Sequence, residues 1–164
     1  MSLLMVRIDD RLIHGQVTQG WGSVLHPQRI VLANDGAAAS RWEQELYEAA
    51  APEGTKVAVL GVEEAPDRIQ GWLDGEEDLL VLVESPQDAL RLLEAGLEFE
   101  ELNVGGMHYR EGRRRILPYV CVDEEDIQAF ESLREQGVRI ECADVPGCER
   151  KDLFVWLGSG ANGI

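Results

Sequence analysis

Positive charge is what this chain has least of. Lys and Arg number 15 against 31 Asp and Glu, a formal net charge of −16 over 164 residues. Nucleic-acid phosphates are held by clustered basic side chains, so this balance excludes nucleic acid as a partner. It also opposes attachment to an anionic membrane surface. No uninterrupted apolar run approaches the roughly 18 residues that suggest a membrane span, and the opening residues do not read as a secretory signal. A soluble, cytoplasmic protein with no direct membrane insertion is expected. Cysteine is sparse too: Cys121, Cys142 and Cys148 are odd in number and form no close pair. That pattern fits reduced thiols rather than a disulfide framework. His26 and His108 lie too far from them in sequence for a zinc cluster, so no metal and no cofactor is expected.

Apolar side chains are not lacking. Hydrophobic residues make up 45% of the chain, enough to build the core of a single domain over residues 1–164. Short runs rich in Val, Ile and Leu alternate with helical segments. The strands are expected at Leu3 to Asp9, Arg29 to Asn34, Thr55 to Leu60, Leu79 to Glu84, Glu101 to Gly105 and Arg139 to Ala143. Runs of this kind suit a parallel sheet covered on both faces. Helices are expected after Gly15, over Ala37 to Ala51, from Ser85-Pro86 to Gly96, and from Asp123 to the turn at Gly137. Ser85 and Asp123 read as caps, Pro86 suits a first helical turn, and Asp126 gives a weak capping box with Asp123. Met107 to Val122 breaks the alternation; Gly112, in the polar stretch Tyr109 to Arg113, predicts the turn of a hairpin. The glycine-rich stretch 158–164 is expected to be a flexible tail with no further helix. Trp21 is expected in the core, and Trp42, Trp72 and Trp156 at helix–sheet contacts. The fold class is therefore α/β: an open doubly wound, mostly parallel sheet with helices on both faces and an antiparallel hairpin at one end.

Right-handed crossovers bring the loops after the first, second, fourth and fifth strands to one edge of such a sheet. Those loops carry His14, Asn34-Asp35, Ser85-Pro86 and Gly105-Gly106. The first is the richest in chemistry. Arg7, Asp9, Asp10, Arg11, His14, Gly15 and Gln16 crowd the exit of the first strand. A neutral imidazole is a good nucleophile toward phosphorus, and guanidinium forks match phosphate oxygens. Phosphoryl transfer asks the protein chiefly for positioning and cationic stabilisation. Arg11 and Arg7 can supply the charge, and Gly15 opens the backbone N–H groups of a helix start to a phosphate. Either Asp9 or Asp10 can orient the ring, and either can pair with the arginines. Taken alone, each element also has an ordinary reading. His14 can be a surface residue and Asp9-Asp10 a turn. Gly105-Gly106 can approach a phosphate or merely turn the chain. His108 can line the same edge or sit solvated in its loop, and His26 reads as surface.

The segment Val6-Arg7-Ile8-Asp9-Asp10-Arg11-Leu12-Ile13-His14-Gly15-Gln16-Val17 closely resembles the active-site loop of IIB subunits of the mannose/sorbose family, which belong to the bacterial phosphoenolpyruvate-dependent sugar phosphotransferase system. Asn103-Val104-Gly105-Gly106-Met107 with Tyr109 to Gly112, the stretch Val122 to Ile127 with Phe130, Asn34-Asp35, and Ser85-Pro86-Gln87-Asp88 extend the likeness from about Val6 to Leu157. The resemblance implies a protein-N(pi)-phosphohistidine–sugar phosphotransferase. His14 would accept a phosphoryl group on Nδ1 from the IIA subunit and pass it to a sugar during uptake through the membrane subunits IIC and IID. By the same resemblance Arg11 would bind the phosphate and Asp9 orient the site, with Arg7, Asp10, Gly15, Gln16, Ser85, Gly105 and Gly106 supporting, no nucleotide or metal at this step, and a homo-oligomer possible. Positive charge near the loop is limited to Arg7, Arg11, Arg110 and Arg113 to Arg115. The alternatives are a regulatory phosphoacceptor module with no sugar-transport step, and a domain that binds a small phosphate ester at the same edge.

Overall fold

The six strands expected from the apolar runs, joined at one edge by a seventh that was not expected (Lys151–Asp152), form one sheet in the order β3-β2-β4-β1-β5-β8-β9. The computed structural model describes residues 2–162, without the side chains of Gln16, Thr18 and residues 159–162. The strands are β1 (Leu3–Asp9), β2 (Arg29–Ala33), β3 (Lys56–Leu60), β4 (Leu79–Val83), β5 (Glu101–Gly106), β8 (Arg139–Cys142) and β9 (Lys151–Asp152). All neighbours run parallel except β9, which pairs antiparallel with β8 at the edge. β1 lies inside the sheet between β4 and β5. Its carboxyl end is therefore flanked by the loops that leave both neighbours, the usual position for a ligand site in an open α/β sheet.

Alternate residues of each central strand enter different cores. Ile30, Leu32, Leu80 and Leu82 pack with Leu12, Ile13 and Val17 on one face. Val31, Ala33, Leu79, Val81 and Val83 pack on the other with Ala89, Leu92, Phe130 and Leu133. The period of two side chains along a strand and burial of both faces explain why these runs look continuously apolar. On the first face lie a π-helical turn (Gln16–Trp21) that runs into α1 (Gly22–Leu25), then α2 (Asp35–Ala38) and α3 (Arg41–Ala50). On the second lie α4 (Ala65–Asp74), α5 (Pro86–Glu94) and α6 (Glu124–Glu135). Ser85 caps α5 by accepting from Asp88 N–H at 3.2 Å, with Pro86 in the first turn. Asp123 and Asp126 make a full reciprocal capping box on α6.

Several expectations need correction. The helix expected over Ala37 to Ala51 is two, because Ser40 adopts extended backbone and caps α3 through Glu43 N–H. The hairpin is β6 (Arg114–Leu117) with β7 (Val120–Val122), and it turns at Pro118-Tyr119. Gly112, at φ 91°, makes an earlier turn that feeds β6. The pair is the expected antiparallel ribbon, a separate two-stranded sheet beside the main one. It is tied to the end of β5 through Met107 N–H to Tyr119 O and Cys121 N–H to Met107 O. The stretch from Gly158, expected as a tail with no helix, belongs to α7 (Leu153–Asn162) as far as the description goes; residues 163–164 lie outside it. Its anchor is apolar: Leu153 and Leu157 are buried in the larger core. Trp21 is buried as expected, but Trp42 is 70% exposed and packs at no helix–sheet contact. Among the described residues no helix is long and apolar enough to cross a membrane.

The cysteines differ sharply in access. Cys121 and Cys142 are buried, whereas Cys148 is only partly covered. Burial pushes the Cys142 thiol up to about 12, and the thiolate is the reactive form. Titration of native protein with Ellman's reagent is expected to show one fast thiol, Cys148, with the other two reacting only on unfolding. A Cys148→Ser variant should lose the fast phase.

Candidate active site

Asp9 is the centre of the rim at the carboxyl end of β1. Its carboxylate is wholly buried, and three side chains converge on it. The Arg11 fork donates from Nε to Oδ1 and from Nη2 to Oδ2, both at 3.0 Å, while its backbone N–H reaches Oδ1 at 3.1 Å. Arg7 Nη2 donates to Oδ2 at 3.2 Å. His14 Nε2 lies 3.1 Å from the same Oδ2. Burial alone would raise the Asp9 carboxyl, but the hydrogen bonds of His14 and Arg11 and the charge of Arg7 outweigh it and hold the group well below the usual carboxylate range. An ionised carboxylate only accepts hydrogen bonds. Nε2 is therefore the N–H nitrogen, and in the neutral ring the lone pair is on Nδ1. The ring is partly exposed, at 20% of its side-chain surface, so it is neither lost in the interior nor turned from the arginines.

Local backbone geometry brings these groups together. Leu12 N–H closes a turn on Asp9 O at 2.9 Å, and Leu12 itself sits at φ 61°. That left-handed conformation costs a side-chain-bearing residue energy; burial of Leu12 and Ile13 against Leu80 and Leu82 holds it in place. The turn lets His14 fold back over Asp9. The two aspartates then divide their tasks. Asp9 holds the His14 ring, whereas Asp10 accepts from His108 N–H at 2.7 Å and contacts His108 Nδ1 at 2.5 Å, tying the loop to the end of β5.

Arg7 proves to be a buried strut rather than a phosphate ligand. It is 0% exposed and donates to Asn103 Oδ1, to Ala143 O at 2.8 Å and to Asp144 O at 2.8 Å besides Asp9. Trp21 lies over it, 5.1 Å from ring centre to Cζ, and donates its own N–H to Asp144 O. Gly105 makes this possible: a Cβ there would fall 1.8 Å from Arg7 Cζ. Gly106 is constrained in the same way, since its Cβ would meet Asp9 Oδ1 at 2.9 Å. The glycine pair thus makes room for buried charges. Gly15 is exposed in helical backbone at φ −54°, and a Cβ on it would meet nothing. The Gln16 side chain lies outside the described residues. Ser85 does not join the site. Its hydroxyl is engaged as the α5 cap, and its neighbours Glu84 and Asp88 line an acidic cleft with Asp10, Asp35 and Glu43 that opposes any anion.

Asn103 and the carbonyls of Ala143 and Asp144 were not anticipated. Asn103, a polar side chain between the apolar Leu102 and Val104 and opposite Arg7 in the register, was the one readable cue. The carbonyls leave no trace in a side-chain pattern. A pH prediction follows from Asp9. A carboxylate held low by its folded surroundings contributes stability above the unfolded value of 3.8, and the contribution fades as pH falls below it. Melting temperatures taken from about pH 5 down to about pH 2 should fall more steeply for the parent than for Asp9→Asn.

A model of the PTS system sorbose subfamily IIB component matches residues 3–160. The chain is 38% identical over 141 residues to the sorbose-specific EIIB component of Klebsiella pneumoniae, covering 86% of each. It is 35% identical over 157 residues to the mannose-specific EIIAB component of Escherichia coli K12, covering 94% of this chain and 49% of that longer protein. The crystal structure of the IIBSor domain of the sorbose permease from Klebsiella pneumoniae superposes with a TM-score of 0.91 at 34% identity, over 99% of both chains. With residues 3–160 matched and this fold shared, the chain belongs to the sorbose subfamily of phosphotransferase-system IIB components.

Proposed function

We propose that this protein is a phosphocarrier in which His14 Nδ1 takes a phosphoryl group from a phosphohistidine of the IIA subunit and delivers it to a sugar entering through membrane subunits IIC and IID. One observation carries the reading: a partly exposed imidazole whose Nε2 is held by a buried, ionised carboxylate shared with two arginines. As the Nδ1 lone pair attacks phosphorus, the P–N bond of the donor breaks and a P–N bond to His14 forms. The accepting ring gains positive charge, which the Asp9 carboxylate opposite Nε2 stabilises. Arg11, 32% exposed and locked to Asp9, keeps a guanidinium beside the incoming oxygens. Arg7 holds Asp9 from beneath. The protein is thereby a protein-N(pi)-phosphohistidine–sugar phosphotransferase acting in the cytoplasm.

The test is labelling from phosphoenolpyruvate with the upstream phosphocarriers and a cognate IIA. The parent should acquire one acid-labile, base-stable phosphoryl group, and His14→Ala, still folded, should acquire none. Equal labelling of the variant would overturn the reading. Label that never passes to a sugar in the presence of IIC and IID would place the protein in regulation instead. Arg11→Lys keeps a charge but loses the fork. It is expected to slow transfer by about ten- to a hundredfold, with a smaller change in IIA affinity, because the interaction is wanted in the transition state. Single-turnover rates against IIA concentration separate the two effects.

A further inference from the structure

Beside Arg11, the end of β5 and the β6–β7 hairpin enclose a cavity of about 150 Å³ lined by Arg11, His108, Tyr109, Arg115, Tyr119 and Asp144. Its charge runs against that of the whole molecule, where acids outnumber bases 31 to 15. Two arginines face one carboxylate in its lining, Asp9 and Asp10 hold Arg11 and His108 from outside it, and Asp144 Oδ1 already accepts Val145 N–H at 2.9 Å. Arg11 gives Nε and Nη2 to Asp9, and among the described residues its Nη1 makes no hydrogen bond. Arg115 is exposed and makes no ion pair among the described residues. His108 is fixed through Nδ1 to Asp10. The Tyr119 hydroxyl is buried with no hydrogen-bond partner. That oxygen is closed off from the cavity, so Tyr119 lines it with the ring and not with the hydroxyl.

We propose that this cavity is a second oxyanion site, which takes a phosphate dianion, free or as the head of a phosphomonoester, between Arg11, Arg115 and His108, beside the ring of Tyr119. Pockets that enclose a drug-sized organic ligand measure about 300–1,000 Å³, so a sugar ring would remain outside. His14 does not line the cavity, but Arg11 belongs to both places. Occupancy engages Arg11 Nη1 while Nε and Nη2 remain on Asp9, and so leaves that guanidinium less available to oxygens arriving at His14. Its consequence, slower acceptance of the phosphoryl group, rests on the phosphocarrier reading; the binding itself does not.

Calorimetric titration with inorganic phosphate, and separately with glucose 6-phosphate, tests it on the parent, His14→Ala, Arg115→Gln and Tyr119→Phe. Saturable phosphate binding is expected in the parent and unchanged in His14→Ala. Arg115→Gln should weaken it by about tenfold or more. Tyr119→Phe should bind phosphate as the parent does and melt no lower, because the lost hydroxyl is closed off from the cavity and has no partner. Weaker binding of glucose 6-phosphate assigns the site to free phosphate, and equal or tighter binding assigns it to a monoester head group. No saturation by about 10 mM, a weak-binding regime, or affinity lost in His14→Ala and kept in Arg115→Gln, would overturn the assignment.

Discussion

Asp9→Ala is expected to lose phosphoryl acceptance almost entirely and to be strongly destabilised as well. The carboxylate is wholly buried and receives Arg7, Arg11 and His14 together. Without it the Arg7 guanidinium, itself 0% exposed, keeps its charge in the interior with only neutral acceptors. Breaking a buried ion pair from one side costs about 3–5 kcal/mol, a large part of the 5–15 kcal/mol that stabilises a typical domain. Asp9→Asn keeps the shape and removes the charge. It should fold better than Asp9→Ala, yet transfer should still fall by on the order of 10²–10⁴, the range for losing a group that orients and charges a reacting histidine. Asp10→Asn separates the two aspartates. Its partner His108 is 60% exposed, so the variant should stay within about 1 kcal/mol of the parent and still accept the phosphoryl group on His14. Denaturation midpoints read beside single-turnover labelling decide the matter; an Asp10 variant slower than the Asp9 variant would reverse the assignment.

Gly105→Ala carries the second large effect. The added methyl would overlap Arg7 Cζ, Nη1 and Nη2, at 1.8, 2.3 and 2.0 Å. The far end of a surface arginine could swing aside, but this one is fixed by Asn103, Ala143, Asp144 and Asp9. Relief means moving the guanidinium off several acceptors or pushing β5 from β1. Overpacking costs about 1–3 kcal/mol, and each buried hydrogen bond broken adds about 1–3 kcal/mol. A loss of at least about 3 kcal/mol is expected, or a melting temperature lower by roughly 6–12 °C. Gly15→Ala is the control. It lies beside His14 in the loop after β1, in helical backbone with open space around it, so alanine should leave stability unchanged or raise it by up to about 1 kcal/mol. If Gly105→Ala melted with the parent, the buried role of Arg7 would have to be given up.

The architecture was legible because both faces of the parallel strands are covered. Runs such as Leu79–Val83 announce buried strands, and Ser85-Pro86 and Asp123 announce the helices they cap. α4 was missing from the expected helices because its flanking acids, Glu63-Glu64 and Glu76-Glu77-Asp78, fit solvated loops and helix ends alike. The hairpin turn was misplaced because Gly112 is the stronger turn signal, although Pro118-Tyr119 does the turning between β6 and β7. At the site, the residues of the β1 loop were legible from their chemistry, but their division of labour was not. Whether Asp9 or Asp10 faces the ring depends on the Leu12 turn, and the left-handed backbone there is carried by a leucine that gives no sign of it. Arg7 and Arg11 look equivalent in sequence. One side of the strand buries the first, whereas the turn delivers the second to the surface, and that difference is a matter of the third dimension.

The account stands or falls on which ring nitrogen of His14 reacts. Protein labelled with ¹⁵N-histidine, phosphorylated through phosphoenolpyruvate and IIA, and read by ³¹P and ¹⁵N NMR, reports the bonded nitrogen directly. With Nε2 engaged by Asp9, phosphorus should be found on Nδ1 of His14. Phosphorus on Nε2, or on any other residue, would contradict the proposed role of Asp9 and the mechanism built on it.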